Sequence, residues 1–117
     1  MYYKELEVWK KSIELVKGIY EICNEFPQSE QFGLTAQLKR AVISVPSNIA
    51  EGAARYSNKD TARFIDTALG SIAEVDTQLI IAKELGYANN IDAIQILLNQ
   101  VNALLLGFKK HLNKTQE

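Results

Sequence analysis

Three segments of this chain repeat apolar residues at alternating steps of three and four, and none alternates apolar with polar at every second position. Helices are the regular element that such a pattern supports. The first segment carries Leu6, Trp9, Ile13, Val16, Tyr20 and Cys23 on one row, with Leu15, Ile19, Ile22 and Phe26 on an adjacent row. Together the rows are wider than a coiled-coil seam, and Leu6, Trp9, Ile13 and Val16 are the expected core contribution. Pro27 ends the segment, because the residue before a proline is pushed out of the α region. A second stripe, Ile65, Ala68, Ile72, Val75, Leu79 and Ala82, follows SNKD, where Ser57 and Asp60 have capping-box spacing. Gly86 supplies a left-handed stop. The third stripe runs from Ile91 through Ile94, Leu98, Val101, Leu105 and Phe108 to Leu112. Asn89 or Asn90 is its expected cap, and Lys109, Lys110 and His111 suit its negative C-terminal end.

Residues 30 to 55 complete the set. Leu34, Leu38, Ala41, Val45, Ile49 and Gly52 keep a helical period straight through Pro46. Four helices with short links predict an all-α, antiparallel up-down-up-down four-helix bundle, one domain over residues 1–117. A chain of this length can bury a core without staples. Pro46 lacks an amide hydrogen and its ring collides with the Val42 carbonyl, so the second helix is expected to bend or open near it. Proline costs about 3 kcal/mol inside a helix. The Ser44 and Ser47 hydroxyls are expected to reach the freed backbone groups. Asn48 with Glu51 has capping-box spacing for a restarted helix.

Charge and chemistry narrow the function. Thirteen basic residues against fourteen acidic ones give a net charge of -1, without the basic surplus that a dedicated nucleic-acid binder advertises. The chain has one cysteine, no apolar signal core and no run approaching the roughly 18 residues of a membrane span. A cytoplasmic protein that does not enter a membrane is expected. A di-metal bundle needs Glu-x-x-His pairs on two helices, and this chain has only His111, with Phe108 three residues before it. Cys23 lies on an apolar row, where a small core residue is expected rather than a nucleophile. No nucleophile-elbow motif exists to join His111 in a hydrolase. No catalytic, cofactor-binding or metal-ligating residue is therefore assigned, no small-molecule substrate is evident, and a non-enzymatic role is expected. Glu74 flanks the third helix's stripe and is expected to pair with Arg40, Arg55 or Ser71. Gly70, Ala68, Ser71 and Ala73 form a small-residue patch suited to close helix approach.

Two surface features remain. Arg40, Ser44, Ser47, Asn48, Glu51 and Arg55 fall at spacings of one, three or four, a polar stripe beside the apolar one. Most are short, which fits an oligomer interface or partner surface better than a solvated face. Between residues 39 and 63, Lys39, Arg40, Arg55, Lys59 and Arg63 face only Glu51 and Asp60. These five cations are the candidate nucleic-acid contacts, since arginine suits phosphate.

LEVWKKSIEL, FPQSEQFGLTAQLKRA, SVPSNIAEG with the following Arg55, and LGSIAE together resemble the 23S rRNA intervening-sequence protein family, also called the four helix bundle protein family. The resemblance runs from about Leu6 to Gly86, and SVPSNIAEG is its most specific piece. It implies a bacterial four-helix bundle, in some cases encoded within insertions in 23S rRNA genes. It also implies kinship with the accessory variability protein of diversity-generating retroelements, a basic pentamer that binds nucleic acid, and hence a barrel-like homopentamer. Two functions are expected from this: an assembly or adaptor protein acting as a homo-oligomeric ring, or an RNA- or DNA-binding accessory protein.

Overall fold

Each apolar stripe becomes a helix in the computed structural model, which describes residues 1–114. The helices are α1 (Glu7–Cys23), α2 (Leu34–Ala53), α3 (Asn58–Glu84) and α4 (Asp92–Lys114). Single 3-10 turns at Tyr3–Glu5 and Gln28–Glu30 precede α1 and α2. Among the described residues there is no strand, and no helix is long and apolar enough to cross a membrane. The 27 residues of α3 span about 40 Å at 1.5 Å per residue. The molecule measures 49 × 24 × 20 Å, so the helices lie along its long axis. Links too short to recross that axis make successive helices antiparallel. Contacts join α1 to α2, α2 to α3, α3 to α4 and α4 back to α1, closing a four-helix bundle in which the α2–α3 contact is the most extensive.

The expected stops hold where local chemistry decides them. Ser57 Oγ accepts the Asp60 amide at 3.1 Å, and Asn90 Oδ1 accepts the Asp92 amide at 2.9 Å ahead of α4. Gly86 takes φ +78°, and the Tyr87 amide reaches back to the Ala82 carbonyl at 2.9 Å, the wrap that closes many helix C-termini.

Two expectations change. The buried residues of α1 are Val8, Ser12, Leu15, Ile19, Ile22 and Cys23, so the helix turns mainly the second of the two apolar rows inward and keeps only Cys23 of the first. Leu6, Trp9 and Val16 pack only at the core's edge, Ile13 is half-buried, and Trp9 is flanked edge-on by Tyr3 at 5.4 Å. Ser12 interrupts the true row in the sequence, yet it is fully buried, because its hydroxyl donates to the Trp9 carbonyl at 2.7 Å. In α2 the helix is continuous from Leu34 to Ala53 with a buried Pro46 inside it. It does not restart at Asn48, so no capping box forms there.

Candidate functional site

The outer face of α2 and α3 starts from two backbones held close together. Thr61 Oγ1 donates to the Gly52 carbonyl at 2.8 Å and also lies 3.1 Å from the Ser57 carbonyl. A Cβ on Gly52 would stand 3.0 Å from Phe64 Cβ and 3.2 Å from the Thr61 carbonyl oxygen. Glycine at position 52 is thus what lets α2 approach α3. The expected small-residue contact at Gly70 is not where approach occurs: a Cβ there would meet nothing within 4 Å. Ala68 and Ser71 are buried while Gly70 and Ala73 face outward, since only two of the four lie on the buried side of α3.

Two turns before Gly52, the polar stripe is stitched across the same seam. Asn48 Nδ2 donates to the Ser44 carbonyl at 2.8 Å and to Ser44 Oγ at 2.9 Å. Ser44 Oγ, free to donate because it accepts from Asn48, lies 2.8 Å from Ser71 Oγ. The Ser44 hydroxyl therefore serves α3 rather than the backbone freed by Pro46, and Ser47 is exposed. Ser71 answers Ser44 instead of Glu74. Beyond this pair opens a polar cleft of about 400 Å³ that Gln37, Arg40, Glu74 and Gln78 also line. Glu74 and Arg40 share the cleft, yet no ion pair within 4 Å forms between them among the described residues. Gln78 Oε1 is buried and meets no hydrogen-bond donor.

The six stripe residues thus divide into two kinds. Ser44 and Asn48 are half-buried and occupied within the subunit, while Arg40, Ser47, Glu51 and Arg55 are exposed. The five basic residues divide as well. The Lys39 ammonium sits 4.7 Å over the Tyr20 ring of α1, and Arg40 lines the cleft. Arg55, Lys59 and Arg63 cluster at the α2–α3 link, about 22 Å along the helix from Arg40 by rise per residue. There the Arg55 guanidinium lies 4.6 Å over the Phe64 ring, and Arg63 makes an exposed 3.4 Å pair with Asp60. Proximity in sequence overstated their proximity in space.

Three features escaped the linear reading. One is Tyr56, fully exposed at the link's apex. Another is the entry to α2, where Glu30 Oε1 accepts the Leu34 amide and Glu30 Oε2 accepts the Tyr87 hydroxyl, both at 3.0 Å. The Leu34 amide, and after it the Tyr87 hydroxyl, hold the Glu30 carboxyl below its ordinary value, while the same contact pushes the Tyr87 phenol up. The third is global. Among the described residues, dividing each helix at its middle, the end that gathers the chain start, the α2–α3 link and the end of α4 carries nine Lys and Arg against six Asp and Glu. The opposite end carries four against seven. Along the sequence the charges are balanced, and antiparallel folding sorts them.

Another groove, about 410 Å³ and mostly apolar, opens at the basic end between Leu6, Val8, Leu104, Phe108, His111 and Leu112. Cys23 is buried among apolar neighbours, and that burial raises its thiol pKa against a smaller opposing pull from Lys39. No curated protein matches the chain. The family model described as 23S rRNA-intervening sequence protein matches residues 4–107, which takes in all of α1, α2 and α3, the stitched seam and most of α4. The chain belongs to the 23S rRNA-intervening sequence protein family.

Proposed function

We propose that this protein is a non-enzymatic, cytoplasmic assembly subunit that closes into a homo-oligomeric ring through the outer face of α2 and α3. The observation that carries the reading is the α2–α3 cleft, where exposed Arg40 and Glu74 make no ion pair among the described residues. A neighbouring subunit can supply the opposite charge to each. Exposed Ser47 and Glu51 beside the cleft add short side chains and an acid placed to answer a neighbour's arginine. Around a ring the contact is heterologous, so each subunit offers two different patches. Five subunits is the number that the resemblance implies.

The test is solution mass. Glu51→Arg and Arg40→Glu should each lower the assembly's mass in light scattering while circular dichroism stays helical. Unchanged mass with unchanged helicity in both variants would remove the face from the interface.

A second reading, an RNA- or DNA-binding accessory protein, is favoured by a different observation, the sorting of charge to one end. Titration against structured RNA and duplex DNA at several salt concentrations checks it. Binding that weakens steeply with salt supports it, and no binding at low salt removes it.

A further inference from the structure

The basic end has a tip of defined chemistry. The link between α2 and α3 is only residues 54–57, and it is pinned on both sides. The Arg55 amide donates to the Gly52 carbonyl at 3.1 Å, and Ser57 caps α3. Tyr56 at its apex has a relative exposure of 107%, so the whole ring stands in solvent on a short, tied loop. Beside it the Arg55 guanidinium covers one face of Phe64 at 4.6 Å while Arg55 itself remains exposed. With its centre over that ring and the residue exposed, the guanidinium keeps a side open to solvent. Lys59 is exposed and makes no ion pair among the described residues. The Arg63–Asp60 pair is solvent-exposed at 3.4 Å, a contact weak enough to be exchanged for a phosphate.

We propose that this tip binds unpaired nucleic-acid strands, with bases stacking on Tyr56 and on the Arg55–Phe64 platform while Lys59 and Arg63 meet phosphates. The inference rests on the nucleic-acid reading above and gives it a substrate class. Aromatic rings and arginine planes stack on bases only where the bases are splayed out of a duplex. A phosphate surface alone would need the cations and not the two flat faces. A lipid surface would need an apolar wedge, and the neighbours of Tyr56 here are Arg55, Ser57 and Lys59.

Fluorescence anisotropy with an unstructured RNA of about 12 nucleotides, within the usual range of single-strand sites, tests this beside the same-sequence DNA and the blunt duplex. The wild-type protein is expected to bind the single strands more tightly than the duplex, and the tighter of the two single-stranded arms identifies the source. Tyr56→Ala should weaken single-strand binding roughly tenfold and leave duplex binding unchanged, with helicity intact. Tyr56→Phe should retain wild-type affinity. Lys59→Gln should lower binding to every strand and flatten its salt dependence. Single-strand binding by Tyr56→Ala equal to wild type overturns the stacking site even if nucleic acid is bound. No binding of any strand by the wild type at low salt overturns the nucleic-acid reading itself.

Discussion

A glycine inside a helix ordinarily costs about 1 kcal/mol relative to alanine, so Gly52→Ala would strengthen an isolated α2. In the bundle the added Cβ meets Phe64 Cβ at 3.0 Å and the Thr61 carbonyl at 3.2 Å, and neither atom can swing aside. The variant is expected to lose about 1 to 3 kcal/mol, as overpacked cores do, read as a lower urea midpoint at unchanged slope. A Cβ at Gly18 meets only the tip of Ile94, its Cδ1 atom at 2.5 Å. Gly18→Ala therefore serves as the milder control. If both variants gain stability, α2 and α3 are not held in close contact. The helical period of the sequence placed Gly52 correctly but gave no reason for it. The reason lies in Thr61 and Phe64 on the next helix, and adjacency across a seam leaves no mark in a linear period. Ser12 fails to read as core for a related reason, since its burial depends on a hydrogen bond to its own helix.

At the level of the element, the start of α2 lacks a capping residue at Gly33 and borrows the Glu30 carboxylate instead. A Cβ at Gly33 would sit 2.5 Å from Glu30 Oε1, so a side chain there would push the capping carboxylate aside. The lowered pKa of Glu30 fixes the direction of its pH dependence. Its contribution to stability is complete above the ordinary glutamate value of 4.5 and is lost as pH falls through the lower folded value. Glu30→Gln should therefore flatten the decline of stability below pH 4.5, followed by circular dichroism during acid titration. A profile that matches the wild type would remove Glu30 from α2's cap. The existence and order of the helices were legible from periodicity, as were the Ser57 and Gly86 boundaries. Which row of α1 faces inward was not. Both rows are apolar, and the positions of α2 and α4 choose between them.

For the whole molecule, a net charge of -1 conceals two ends of opposite sign. At neutral pH and low salt the protein is expected to be retained by cation-exchange and anion-exchange resins alike, each holding a different end. Passage through the cation exchanger without delay would show that the sorting is too weak to act. None of this is visible in the sequence, because the sorting depends on which helix turns back beside which. The separation also carries a consequence for any approaching partner. At physiological salt a charge is felt over about 8 Å, and the molecule is 49 Å long. A polyanion near the basic end is therefore blind to the acidic one and responds to a local surplus of three. It also selects how the protein arrives, since an approach that brings the acidic end within that range first is turned away. Subunits related by rotation about an axis along the bundle would all point the same way. Such a ring would have one mouth that attracts a phosphate backbone and one that repels it, so a strand's direction of entry is decided before any contact is made.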